Sequence, residues 1–162
     1  MAKGFEPSLL DKLFDDAPRE QATGILRRMS SEEFKDSVAR DVEALLNNRS
    51  VLPDDVLKNF PYCQRSLASY GIHDFSSRSL ASSVDRAYIC RSIETAIARH
   101  EPRLTHVRVS LSQEERTTGA LRFSISALLV VHPSREPINF DAMLQPSTLQ
   151  YSVHRNRRAA AV

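Results

Sequence analysis

The chain contains no tryptophan, two cysteines and four glycines in 162 residues. The glycines are well separated, so the Gly-rich loops that cradle phosphates in common nucleotide-binding proteins are missing. Cys63 and Cys90 have no nearby His pair, and no His-Glu-x-x-His or Cys-x-x-Cys motif occurs. A zinc site needs ligands that converge from such spacings. The sequence therefore predicts no metal and no cofactor.

Long apolar runs are also missing. None approaches the roughly 18–20 residues that a membrane helix needs, and the segment Met1–Phe5 lacks the apolar region of a signal peptide. Free thiols without such a signal are typical of a cytosolic protein, with no direct membrane insertion expected. The net charge of +2 is too small to indicate a polyanionic partner for the whole chain. A length of 162 residues suits one domain with a real core.

The hydrophobic period changes from helical to alternating along the chain. This predicts an α+β fold in which N-terminal helices precede an antiparallel sheet of three to four strands. Ser30 and Glu33 have the spacing of a capping box ahead of one helix. A short helix is predicted over Cys63–Tyr70, and a long one from about Ser83 to His100. The predicted apolar face of the long helix consists of Val84, Ile89, Ile93, Ala96 and Ile97.

Alternating residues predict the strands Val107–Leu111, Leu121–Val131, Ile138–Ala142 and Leu149–Val153. The second is the most apolar and should be central. The fourth should lie at an edge, where it would offer open backbone groups to a neighbouring chain unless the N-terminal arm or the tail covers it. Three regions are expected: an amphipathic arm at 1–29, a single α+β domain at 30–153, and a basic flexible tail at 154–162.

The N-terminal arm carries an apolar stripe behind a possible helix cap at Ser8. The stripe consists of Leu9, Leu10, Leu13 and Phe14. Amphipathic segments of this kind dock either on their own domain or on a partner, and the sequence leaves both open.

The most distinctive corner of the chain is Glu101-Pro102-Arg103. Pro102 lacks a backbone donor and moves Glu101 out of the α region, so the long helix must end here. In extended backbone, positions 101 and 103 point to the same side. A carboxylate beside a guanidinium is favoured in its charged form, and no second acidic residue is placed nearby by the sequence. The corner therefore suits a protein contact better than acid catalysis. The alternative to a protein contact is a plain surface ion pair, which contributes about 0–1 kcal/mol to folding stability.

Several segments together resemble the baseplate wedge family of contractile tails, and within it the TssE subfamily of type VI secretion. They are Pro7–Leu13, Leu45–Arg49, Ser66–Asp74 and the helix into Glu101–Leu104. Asn48 departs from the Thr or Ser that the family pattern leads us to expect.

The resemblance implies a non-enzymatic assembly subunit in the bacterial cytoplasm, within a membrane-docked baseplate. Such a subunit would join the wedge subunits TssF and TssG and help to start polymerisation of the contractile sheath. The family's Glu-Pro-Arg motif falls on Glu101, Pro102 and Arg103, which the resemblance implies act in protein contacts.

Two other functions stay open at this point. One is a peptidoglycan-cleaving, lysozyme-like enzyme, a label that some members carry through a phage relative. The other is a small nucleic-acid-binding module that uses the tail arginines Arg155, Arg157 and Arg158. Because no aromatic residues lie between these arginines, a solvated tail is the better interpretation, and no nucleic acid is expected as a partner.

Overall fold

The computed structural model describes residues 5, 29–75, 77–79, 82–112, 121–131, 134–145 and 147–156. Within these residues, helices come first and a four-stranded antiparallel sheet follows, which confirms the predicted α+β fold. The helices are α1 (Ser31–Asn47), α2 (Asp54–Lys58) and α3 (Ser83–His100), with single 3₁₀ turns at Cys63–Arg65 and Leu67–Ser69. The strands are β1 (Leu104–Ser112), β2 (Leu121–Val131), β3 (Ser134–Gln145) and β4 (Gln150–Arg155).

Local signals set the ends of the two long helices. The Ser30 hydroxyl accepts from the Glu33 N–H at 3.2 Å, and the Glu33 carboxylate accepts from the Ser30 N–H at 2.7 Å, which is the predicted capping box. The Ser82 hydroxyl accepts from the Asp85 N–H at 3.3 Å and caps α3. Helix α3 ends at His100, two residues before Pro102, as predicted.

Val84 does not belong to the apolar face on which the sequence analysis placed it. Its side chain is 75% exposed. A separation of five residues turns a helix by about 140° past a full turn, so Val84 points well away from Ile89. The buried face of α3 consists of Ile89, Ile93, Ala96 and Ile97.

The short helix predicted over Cys63–Tyr70 is wrong, because Ser66 divides the segment into two 3₁₀ turns. Ser66 has extended backbone, and its hydroxyl donates to the Cys63 carbonyl at 2.9 Å and accepts from the Ala68 N–H at 3.2 Å. These side-chain bonds compete with the α-helical ladder. Gly71, at φ +117°, follows; a Cβ there would lie 2.6 Å from the Asn48 carbonyl oxygen.

The sheet is a meander in the order β1-β2-β3-β4, with one face packed against α1 and α3. Strand β2 lies inside the sheet and alternates as predicted. In β1, by contrast, the register shifts after Thr105, and His106 has a φ of +55°. This bulge brings Leu104 and Val109 to the buried face although their odd separation would put them on opposite faces. The buried sheet residues are Leu104, Val109, Phe123, Ile125, Ala127, Leu129, Ile138, Phe140, Ala142, Tyr151 and Val153.

Side chains of α1 cover the outer edge of β4. The Asn47 amide accepts from the Tyr151 N–H at 2.8 Å and donates to the Tyr151 carbonyl at 2.9 Å. The Glu43 carboxylate accepts from the Val153 N–H at 2.7 Å. The expectation of an open edge for strand addition at β4 is therefore wrong. The sequence analysis named the N-terminal arm and the tail as possible covers of this edge. Neither is needed for these backbone groups, because side chains of α1 form hydrogen bonds with them.

Strand β4 also runs two residues beyond position 153, where the sequence analysis placed the end of the domain. Arg155 lies in the strand, and its guanidinium is 2.5 Å from a Glu32 oxygen and 3.7 Å from an Asp36 oxygen. This arginine is therefore tied to the first turns of α1. Arg157 and Arg158 lie outside the described residues.

Candidate functional site

The corner after α3 is held on both sides by backbone hydrogen bonds. The Glu101 N–H donates to the Ile97 carbonyl at 2.8 Å, and the Leu104 N–H donates to the Glu101 carbonyl at 3.1 Å. The Arg103 carbonyl accepts from the Val130 N–H of β2 at 2.8 Å. Pro102 is exposed between these two anchored residues. The corner therefore presents a rigid proline at the surface.

The side chains of Glu101 and Arg103 bond each other beneath this corner. Arg103 Nε donates to Glu101 Oε1 at 2.6 Å, and Arg103 Nη2 donates to Glu101 Oε2. The Arg103 N–H also donates to Oε1 at 3.2 Å. The two side chains meet, but the predicted extended backbone is wrong, because Pro102 and Arg103 form a turn closed by the Leu104 N–H bond to the Glu101 carbonyl. The surface-pair alternative is also wrong, because Glu101 is only 5% exposed. The Arg103 side chain is 23% exposed.

A second carboxylate joins this pair from a distant part of the chain. Arg103 Nη2 donates to Asp41 Oδ2 of α1 at 2.5 Å. Burial lowers the pKa of Arg103, but hydrogen bonds to Glu101 and Asp41 and their negative charges outweigh it, and the pKa is raised. Sequence reasoning missed Asp41. The available signal was its position beside the apolar stripe of α1, three residues after Val38 and four before Leu45.

Aromatic contacts connect the cluster to the beginning of the chain. Arg103 Cζ lies 5.8 Å from the centroid of the Phe34 ring. Phe34 stacks on Phe5 with 4.8 Å between ring centroids, and Phe5 exchanges backbone hydrogen bonds of 2.9 and 2.8 Å with Met29. Residue 5 thus docks on its own domain. The stripe residues Leu9, Leu10, Leu13 and Phe14 lie outside the described residues, and their role stays a prediction.

A cleft of about 300 Å³ opens beside the cluster. The His100 ring packs edge-on to Tyr70 with 5.4 Å between centroids, and its Nε2 lies 2.9 Å from the Ser69 carbonyl. Burial lowers the pKa of His100, while burial and the nearby carboxylates raise that of Tyr70. Both rings are therefore uncharged at neutral pH. The cleft is lined by Asp41, Leu45, Tyr70, His100, Glu101, Pro102 and Arg103, so two carboxylates and one guanidinium leave one net negative charge.

This geometry does not match acid–base catalysis on a glycosidic bond. Both oxygens of Glu101 accept hydrogen bonds from Arg103, and Asp41 bonds the same guanidinium. A glycosidase instead needs one carboxyl that donates a proton and a second that faces the opposite side of the bond. Among the described residues, no group of three or more His, Cys, Asp or Glu side chains could hold a metal ion. None of the described helices is long and apolar enough to cross a membrane.

Two comparisons relate the chain to known proteins. A family model described as baseplate wedge protein gp25 matches residues 32–134, which include all but the first residue of α1, together with α3, the Glu101–Arg103 corner and β2. The chain is also similar to the anti-adapter protein IraD of Escherichia coli strain SMS-3-5 / SECEC. The two are 28% identical over 113 residues, which is 69% of this chain and 76% of that protein.

Proposed function

Since the chain belongs to the baseplate wedge protein gp25 family, we propose that it is a structural assembly subunit of a type VI secretion baseplate. In this role it joins the wedge subunits TssF and TssG and helps to start polymerisation of the contractile sheath. It works without catalysis in the bacterial cytoplasm, within a baseplate docked on the membrane. The observation that carries the proposal is the rigid corner at Glu101, Pro102 and Arg103.

The corner is suited to docking because little of it has to be ordered on binding. Backbone bonds hold Glu101 and Arg103, and their side chains lock each other beneath the exposed Pro102. A surface that is already rigid loses less conformational entropy when a partner binds. The adjacent cleft adds a concave surface with a net negative charge. We therefore place the partner's contact on Pro102 and the mouth of the cleft.

A substitution at Pro102 tests this placement without disturbing the buried pair. The Pro102→Glu variant adds a charged side chain to the contact, and we expect a folded protein that no longer co-purifies with co-expressed TssF and TssG. Cells that carry it should form few fluorescent sheaths. Pro137→Glu is the matched control, because Pro137 is also exposed but lies on β3. Normal co-purification and sheath formation by Pro102→Glu would refute the docking role of the corner.

The apolar stripe of the arm is proposed to contribute to partner binding or to docking of the arm. The double variant Leu10→Asp and Leu13→Asp places two charges within the stripe but keeps Phe5, which contacts the domain. We expect an unchanged melting temperature with reduced co-purification of TssF and TssG. A variant that melts far below the parent would instead place the stripe in the core.

The other functions are tested with the same purified protein. Hydrolysis of cell walls that is lost in Glu101→Gln would establish the lysozyme-like alternative. Salt-dependent DNA binding would support a nucleic-acid module, for which Arg155 is a poor candidate because Glu32 and Asp36 already pair with it.

A second candidate role comes from the Escherichia coli relative, which is named an anti-adapter protein. The similarity covers 76% of that protein, so a shared binding mode is a specific alternative to baseplate assembly. Pull-downs from the host bacterium distinguish the two. Recovery of TssF and TssG supports the baseplate role, whereas specific recovery of an adapter protein without them supports the anti-adapter role.

A further inference from the structure

The cleft beside the Glu101–Arg103 pair holds one more negative charge than its guanidinium balances. Arg103 Nε and Nη2 both bond Glu101, and Nη2 also bonds Asp41 Oδ2. Each oxygen of a carboxylate can accept hydrogen bonds, yet Asp41 Oδ1 has no partner within the described part of the chain. The Asp41 side chain is 26% exposed. Asp41 can therefore accept from a second cationic donor that comes from outside the chain.

The other walls of the cleft suit the stem of a long cationic side chain. Leu45 and Pro102 are apolar, and Tyr70 adds an aromatic ring and a hydroxyl that has no hydrogen-bond partner among the described residues. Burial raises the pKa of Tyr70, and the charges of Asp41 and Glu101 raise it further, which places the hydroxyl near both carboxylates. Long cationic side chains pack their methylene stems on apolar surface, and their charge is attracted to aromatic faces.

We propose that the cleft receives an arginine side chain of the partner that docks on Pro102. The inference rests on the proposed function for the existence of this partner, and it specifies the chemistry of the same contact. A guanidinium is planar and weakly hydrated and stacks on aromatic rings, so it tolerates partial burial better than the strongly hydrated ammonium of lysine. Its several N–H groups suit Asp41 Oδ1 and the Tyr70 hydroxyl together.

Other occupants fit the cleft less well. A carboxylate or a phosphate would bring a like charge to a cleft whose net charge is already negative. A metal ion needs several converging ligands, and among the described residues no group of three or more His, Cys, Asp or Glu side chains offers them. The volume of about 300 Å³ is at the lower limit for small-molecule pockets and suits a single side chain.

The first test is an NMR titration of the full-length, ¹⁵N-labelled protein with capped Gly-Arg-Gly, Gly-Lys-Gly and Gly-citrulline-Gly. Citrulline has the shape of arginine without its charge. We expect shifts concentrated at Asp41, Tyr70 and Arg103, and binding of the arginine peptide about fivefold tighter than that of the citrulline peptide, the upper end for one exposed ion pair. Equal affinity for the citrulline peptide, or tighter binding of the lysine peptide, would overturn the proposal.

Variants of the cleft identify the groups that bind the guanidinium. Asp41→Asn removes the negative charge but keeps an oxygen that accepts from Arg103, and it should abolish the preference for arginine over citrulline. Tyr70→Phe keeps the ring and should weaken binding of the arginine peptide. Asp141→Asn is the matched control, because Asp141 is exposed on β3 and does not line the cleft. An equal loss of preference in Asp141→Asn would overturn the proposal, since only overall charge would then matter.

Co-purification with TssF and TssG separates this inference from the proposed function. If the parent recovers neither subunit, the baseplate role fails, while the tripeptide titration still decides the preference of the isolated cleft. Reduced recovery by Asp41→Asn, at a temperature where circular dichroism shows it folded, supports the arginine contact. If folded Asp41→Asn recovers both subunits as well as Asp141→Asn does, the arginine contact is overturned and the baseplate role stands.

Discussion

Arg103→Ala should destabilise the domain, which departs from what an exposed ion pair would do. The change removes the Nε and Nη2 bonds to Glu101 and the bond to Asp41, while the backbone N–H bond at position 103 stays. Breaking a buried pair by removing one partner costs about 3–5 kcal/mol, because the other charge is left buried. Since the Arg103 side chain is 23% exposed, water can partly replace it, and we expect about 2–3 kcal/mol.

Thermal and urea unfolding followed by circular dichroism measure this cost. For a domain of this size, each kcal/mol corresponds to about 2–4 °C, so the melting temperature should fall by about 4–12 °C. Glu101→Gln keeps the shape and leaves Arg103 paired with Asp41, so it should cost less. The double variant Glu101→Leu and Arg103→Met leaves no unpaired buried charge and should recover part of the stability of Arg103→Ala.

A fall of less than about 2 °C for Arg103→Ala would refute the reasoning, because it would correspond to a cost below about 1 kcal/mol and to a pair that is effectively solvated. A double variant less stable than Arg103→Ala would show that packing, not the unpaired charge, sets the cost. These measurements also decide how an assembly defect of Arg103→Ala is interpreted. Only a defect seen at a temperature where the variant is folded reports on docking.

Two further predictions concern other contacts of the domain. Asn47→Ala removes both hydrogen bonds to the Tyr151 backbone. It should lower the free energy of unfolding by about 1–3 kcal/mol and speed hydrogen exchange at the Tyr151 N–H. Asn48→Ala loses only a bond to the Ala44 carbonyl and should leave the Tyr151 N–H protected. Equal exchange in both variants would contradict the edge cover. Burial lowers the pKa of His100 in the folded protein below its ordinary 6.5. As the pH falls, His100 is therefore protonated in the unfolded chain before it is protonated in the folded protein. The contribution of His100 to the free energy of unfolding should be constant above about pH 6.5 and should be lost as the pH falls through the lower folded pKa. His100→Gln should flatten that part of the pH profile of urea unfolding, and a profile unchanged by this substitution would contradict the assignment.

Much of the fold was predictable because its signals are local. The capping box at Ser30 and Glu33 connects residues three apart, and the end of α3 follows from the steric effect of Pro102 on its neighbour. The strict alternation in β2 likewise needs only the period of a strand with one buried face. The pairing of Glu101 with Arg103 was also expected, but it arises in a turn closed by the Leu104 N–H bond to the Glu101 carbonyl and not in extended backbone.

Contacts between distant segments were decided only by the tertiary structure. Asp41 reaches Arg103 across 62 positions, and Asn47 reaches Tyr151 across 104. The periodicity of α1 places Asp41 beside the apolar stripe, but it does not indicate which of the polar residues there will meet a buried guanidinium or a sheet edge, because that depends on how the helix packs across the strands. The sequence by itself therefore determined the two long helices, the central strand and the corner at which α3 ends. Tertiary packing decided that the Glu101–Arg103 pair is buried and that the β4 edge is covered, because each requires chain segments far apart in sequence to meet.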